Sequence, residues 1–243
     1  MRGEGRRRVT ARFVRLCFAA GLLAACHAST AYVKKPLPRL DPLSNAERQQ
    51  KIAFGDGARK AQLTAVAFDL PADYYLGRQA TGSGGCERSW PLLLKDAHFD
   101  TAFQDFNELF IGAMRMHGYP IDAGTSLFDP AKTGDLLVAA RVVDAVFNYC
   151  TPDNRSDMYR KIGNAYLRIE WSVFSSRDRT IILKAVTEGT TPAELETPAG
   201  RPGILRPAFV DAVHRLALSE SYRAVIVAPT NRQGGASTAS LWR

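Results

Sequence analysis

The sequence predicts an α+β fold: a mostly antiparallel sheet with a central hairpin and helices packed on one face. Three observations lead there. Residues 165–174, AYLRIEWSVF, alternate strictly, with Leu167, Ile169, Trp171 and Val173 one way and Arg168, Glu170 and Ser172 the other. That is the period-two pattern of a strand with one buried face. The polar turn SSRDR then leads into TIILKAVTEG at 180–189, which closes a β-hairpin. Helical spacing marks Phe103, Phe106, Phe110 and Met114 before these strands, and Phe209, Ala212, Val213 and Leu216 after them. Each set is one apolar stripe that a sheet can cover.

The chain has 243 residues and is 46% hydrophobic, enough for a sizeable core. Its first 25 residues read as a signal peptide. The basic stretch RGEGRRRVTARFVR precedes an apolar run from Leu16 to Ala25, too short to span a bilayer and right for a signal core. The run meets Leu23-Ala-Ala-Cys26, which resembles the bacterial lipobox: a branched apolar residue, two small residues, then the cysteine that is diacylated and becomes the new N-terminus. Cleavage after Ala31, with Ser29 and Ala31 as the small residues, is the alternative. His27 follows the cysteine, not the Asp that favours retention in the inner membrane of enteric bacteria. The expected location is therefore the periplasmic side of the envelope, lipid-anchored, outer membrane ahead of inner.

This region carries six arginines against Glu4, so it accounts for +5 of the net charge of +8 and leaves +3 for the rest. No Lys/Arg stripe interleaved with aromatics remains after it, which excludes a nucleic-acid binder. Residues 26–59 form a lipidated N-terminus and a proline-rich tether, with prolines at 36, 38 and 42. The tether ends at the capping-box pattern Ser44 to Glu47, which starts a short helix. Residues 60–228 make a single α+β domain, and the polar residues 229–243 make a disordered tail.

Within the domain, KAQLTAVAFDL is the first strand. Leu63, Ala65 and Ala67 lie on one face and Val66 and Phe68 on the other; with both faces apolar it reads as internal to the sheet. Residues 71–95 have little periodicity and read as a long loop. A helix follows from Asp100, its cap, to Gly118, its stop. DLLVAARVVDAVFNYC, 135–150, is a long β-branched strand that precedes the hairpin. After a Pro/Gly-rich loop at 191–207, Pro207 opens a helix, and RAVIV makes a last short strand.

The cysteines are Cys17, Cys26, Cys86 and Cys150. Cys17 leaves with the signal and Cys26 takes lipid. Cys86 and Cys150 remain, in a compartment where a disulfide between them would persist; two separate buried thiols are the other reading. Neither has a second ligand at chelating distance in sequence, so no metal and no cofactor are expected.

Catalytic patterns are incomplete. The stretch TGSGG around Ser83 looks like a protease serine, but the histidine must lie upstream, where only His27 stands. Gly77 and Gly82 have phosphate-loop spacing, yet Ser83 occupies the lysine position. His98, His117 and His214 are scattered singly and read as capping or surface residues, and Glu170 lies on a solvated strand face. Tyr74 and Tyr75 in the 71–95 loop, with Trp90, suit a recognition surface.

The segments GDLLVAARVVDAVFNYC, GNAYLRIEWSVFSSRDRTIILKAVTEGTT and AFVDAVHRLALSESYRAVI resemble an accessory domain that precedes the trypsin-like module in some proteobacterial envelope proteases. Their layout is also similar to periplasmic domains of the curli-secretion lipoprotein and of peptidoglycan-synthase-activator lipoproteins. No protease module follows before Arg243, so the resemblance implies a free-standing accessory domain with no catalytic residues to carry over. The expected function is that of a non-enzymatic envelope lipoprotein that binds another envelope protein and reaches the membrane through its lipid. One alternative is a glycan- or small-ligand-binding module, with peptidoglycan as partner and Tyr74, Tyr75 and Trp90 stacking on sugar. The other is a hydrolase using Ser83 in the 71–95 loop.

Overall fold

The computed structural model describes residues 34–82, 86–97, 102–122, 134–152, 161–191, 195–197 and 200–227. The signal region, Cys26, Ser83, His98, Asp100 and residues 228–243 lie outside them. The fold is α+β. Its strands are β1 (Ala61–Phe68), β2 (Tyr75–Gly82), β3 (Arg88–Leu93), β4 (Leu136–Pro152), β5 (Lys161–Ser175), β6 (Thr180–Thr190) and β7 (Leu195–Thr197). Its helices are α1 (Asn45–Gln49), α2 (Ala102–Met116), α3 (Gly200–Leu218) and α4 (Glu220–Val227). The seven strands form one sheet in the order β3-β2-β4-β5-β6; β1 pairs beside β2 on the long β4, and β7 pairs with the start of β5. Ladders are antiparallel except β1–β4 and β2–β4.

β5 keeps the alternation that its sequence shows. Leu167, Ile169, Trp171 and Val173 are fully buried and face α2 and α3. Phe106, Phe110 and Met114 of α2 are buried toward the same core, as are Phe209, Ala212, Val213 and Leu216 of α3. Phe106 stacks on Phe209 at 4.5 Å between centroids, and Trp171 sits 6.1 Å from both Phe110 and Phe209. The Trp171 indole N–H donates to Thr187 Oγ1 at 2.7 Å, and the Thr187 hydroxyl donates to the Ala212 carbonyl at 2.9 Å. A polar relay thus crosses an apolar layer with each of these groups satisfied. At Gly189 a side chain would overlap the Ala208 carbonyl and lie 2.5 Å from Ala212 N, so α3 can sit on β6 only because this residue has no Cβ.

Four readings change. β1 is an edge strand, not an internal one: besides β4 it makes a single bridge, Ala61 to Ile121, among the described residues. A register shift between Leu63 and Ala65 puts Leu63, Val66 and Phe68 on the core side and leaves Ala65 and Ala67 exposed. The 71–95 segment is a hairpin, β2–β3, rather than a loop. α3 begins at Gly200, so Pro207 lies inside it. RAVIV belongs to α4, where Tyr222 and Ile226, four apart, are buried. The capping box at Ser44 forms in both directions, and Gly118, at φ 83°, follows α2 in the left-handed conformation.

Trp171→Ala is expected to cost about 3–5 kcal/mol in urea unfolding, because a fully enclosed ring and its N–H partner are both lost. A change under about 0.5 kcal/mol would mean that the indole is not part of the core.

Candidate functional site

With the helices on one side, the other side of the sheet is left to side chains that tolerate water. At one end of this open face Leu137, Ala139 and Phe174 are half-buried, and Ala65 and Ile181 (49% exposed) are open, while Ala67 and Val186 (50%) lie further along, in register with Arg141 and Glu170. A charged band crosses next. Arg141 donates to Glu170 at 2.5 Å and pairs with Asp69 at 3.1 Å, and Arg168 lies 3.9 Å from Glu188. Tyr166 donates to Glu188 at 2.9 Å. The hydrogen bond from Arg141 holds the Glu170 carboxyl below its ordinary range, so this residue is a paired anion and not a poised base.

At the far end the face is covered by the chain's own N-terminal segment. The Lys35 backbone exchanges two hydrogen bonds with the Asn148 side chain, at 2.9 and 2.8 Å. The Asn148 amide oxygen also accepts from Arg78 N at 3.1 Å, and its NH2 donates to Asn164 at 3.0 Å. The Lys35 ammonium donates to the carbonyls of Tyr75 (2.8 Å) and Ala145 (3.3 Å) and lies 4.9 Å from the Tyr74 ring centre. It fills the gap on the edge of β4 between β1 and β2. Burial lowers its pKa, and Asp144 partly offsets that. Tyr74 donates to Asp144 at 2.5 Å. Burial first, then this bond and the carboxylate charge, push the phenol up to about 12.

Tyr74 and Tyr75, two of the expected recognition residues, therefore meet around Lys35. Trp90 does not join them. It stands opposite Gln79 and shares a face with buried Leu92, whereas Tyr75 stands opposite Leu93, so Trp90 and Tyr75 are on opposite faces of the hairpin. Cys86 and Cys150 form a disulfide with their Cα atoms 5.7 Å apart. It ties the turn region of the β2–β3 hairpin to β4 and closes 64 residues, a constraint of about 4 kcal/mol on the unfolded chain.

Two residues that read as isolated come together behind the helices. His117, just past α2, and His214 of α3 are buried, with Nε2 of the first 2.8 Å from Nδ1 of the second. His117 Nδ1 is 2.7 Å from the Gln50 carbonyl, which only accepts, so this nitrogen carries the proton. Beside the pair, Asp211 is 2% exposed and binds Arg48 at 2.8 Å, Arg215 at 3.3 Å and Thr190 N at 3.3 Å. These contacts strap residues 41–52 to the helix layer. The sequence offers no local signal for the pair, whose members are 97 residues apart.

No group of three His, Cys, Asp or Glu side chains among the described residues could hold a metal ion. No helix among them is long and apolar enough to cross a membrane. No family model and no curated protein matches the chain. Among solved structures, a protein from Xanthomonas campestris with the family model DUF330 is similar at 12% identity, over 79% of this chain and 91% of that one, with a TM-score of 0.31. A likeness that loose bears on neither fold nor function.

Burial, then the charges of His117 and Arg48, lower His214 to about 4 from 6.5. A group with a depressed folded pKa gives its full stabilisation above the unfolded value and loses it as pH falls toward the folded one. Urea midpoints should therefore decline between about pH 6.5 and 4, and His214→Asn, which keeps a hydrogen-bonding group for His117, should flatten that decline. An unchanged pH profile in the variant would assign the decline to other groups.

Proposed function

We propose that the chain is a lipid-anchored accessory protein of the bacterial envelope, which binds another envelope protein and performs no chemistry itself. The observation that supports this most is the open sheet face. It combines an apolar end, around Ala65, Phe174 and Ile181, with a band of paired charges that Ala67 and Val186 flank, the mixture that a protein partner covers. The polar groups beside it are engaged with one another: Glu170 with Arg141, Tyr74 with Asp144, Tyr166 with Glu188.

A lipid on Cys26 would lie nine residues before Lys35, so anchor and docked segment would be within about 30 Å of each other. The open face would then work near the membrane, on the periplasmic side and more readily at the outer membrane than the inner. Glycan binding is the second reading. It rests on Tyr75 and Trp90, 39% and 41% exposed, but their opposite orientations supply no common stacking platform.

The test is a photo-cross-linking residue at Ala67 in the full chain, in cells, with Met116 on α2 as the control position. One abundant adduct with another envelope protein, from position 67 and not from 116, is expected. No adduct, or the same pattern from both positions, would contradict the proposal. Cys26→Ser should move the protein out of the membrane pellet; a variant still in the pellet would remove the lipid anchor from the account.

A further inference from the structure

We propose that β6 pairs with β6 of a second copy of this chain, antiparallel, about a dyad at Val186, extending the sheet across two molecules. This does not rest on the partner reading above, which concerns the face of the sheet and not its edge.

The direction of the backbone groups is the first support. Thr191 N donates to the Ala165 carbonyl at 3.0 Å, which makes Ala165 and Thr191 a hydrogen-bonded pair. Counting along the unbroken register from Tyr166–Thr190 to Val173–Leu183, residues 183, 185, 187 and 189 aim their N–H and C=O at β5. Residues 184, 186 and 188 aim theirs away from the sheet. Thr190 N, next in that outward set, confirms the phase: it donates to Asp211, outside the ladder. Among the described residues, nothing pairs with the outward groups of Lys184, Val186 and Glu188.

The other edges are guarded where this one is open. β3 has six residues and carries Pro91. β1 is closed at its start, where Ala61 N donates to the Pro120 carbonyl and Asp122 N donates to that of Ala61. β6 has eleven residues, no proline, and Ile181 and Val186 half-exposed.

Charge and shape select both the occupant and the register. A two-fold pairing must set open face against open face, so residues 184, 186 and 188 can oppose only one another or their like. A dyad at Lys184 would place two lysines opposite each other, and a dyad at Ala185 would set Lys184 against Val186. With the dyad at Val186, each Lys184 faces Glu188 of the other copy, the two valines cover each other, and all the outward groups at 184, 186 and 188 are paired. Glu188 already accepts from Tyr166 at 2.9 Å, and a carboxylate has room for a further donor.

The test is oxidative cross-linking of Val186→Cys in the full chain, in intact envelopes. A covalent species of twice the chain mass is expected, since the dyad brings the two thiols together. Lys184→Glu in that background should lower its yield about tenfold, because a carboxylate at position 184 would then face that of Glu188. Adding Glu188→Lys should restore it. The inference is overturned if Val186→Cys yields no such species, if it links to a different protein instead, or if the charge changes leave the yield unaltered.

Discussion

The contact between α3 and the β5–β6 hairpin sets the architecture. It depends on Gly189, where any side chain would run into the backbone of Ala208 and Ala212, and on the relay from Trp171 through Thr187 to the Ala212 carbonyl. Close approach commits the front of the sheet to helices. Phe209 then meets Phe106, and α2 is drawn into the same layer. The residues alternating with this core face the other way, where Arg141, Glu170, Arg168 and Glu188 neutralise one another. One-sided packing therefore gives both the core and the open surface from the same period-two pattern.

The N-terminal segment adds a second constraint. From Lys35 it is held at the sheet by Asn148 and by two edge carbonyls, then at α3 by Arg48 and Arg215, then at His117 by Gln50 and Ile52. α1 buries no residue, so polar contacts hold this stretch, with Ile52 and Phe54 packing only at its end. Whatever precedes Lys35 is therefore attached at a defined place on the open face, beside Tyr74 and Tyr75.

The regions legible in the sequence are those where a single periodicity acts alone. β4, β5 and β6 are long enough that the register shifts after Val142 and Val173 leave readable pattern on either side, and the stripe of α2 is clean. The β2–β3 hairpin was hidden because Gly77, Gly82 and Pro91 interrupt any alternation, and Tyr75 and Gly77 flank a register shift. A similar shift after Leu63 inverted the faces of β1. In α4 the run RAVIV has β-branched residues that favour strands, yet the anchors are Tyr222 and Ile226 at helical spacing, and packing overrides propensity. The disulfide was one of two readings the sequence leaves open for Cys86 and Cys150, and the structure decides between them. The histidine pair and the Lys35 dock were not readable, because each joins segments about a hundred residues apart that only the finished fold brings together.

Among the described residues β6 ends the sheet with the outward backbone groups of Lys184, Val186 and Glu188 unpaired. Amide hydrogen exchange on the dilute, monomeric chain, read residue by residue by NMR, tests it most directly. An alternation is expected, with Leu183, Ala185, Thr187 and Gly189 protected by β5 and Lys184, Val186 and Glu188 exchanging fast. Uniform protection along β6 in the monomer would contradict it, since another part of the same chain would then already cover the edge.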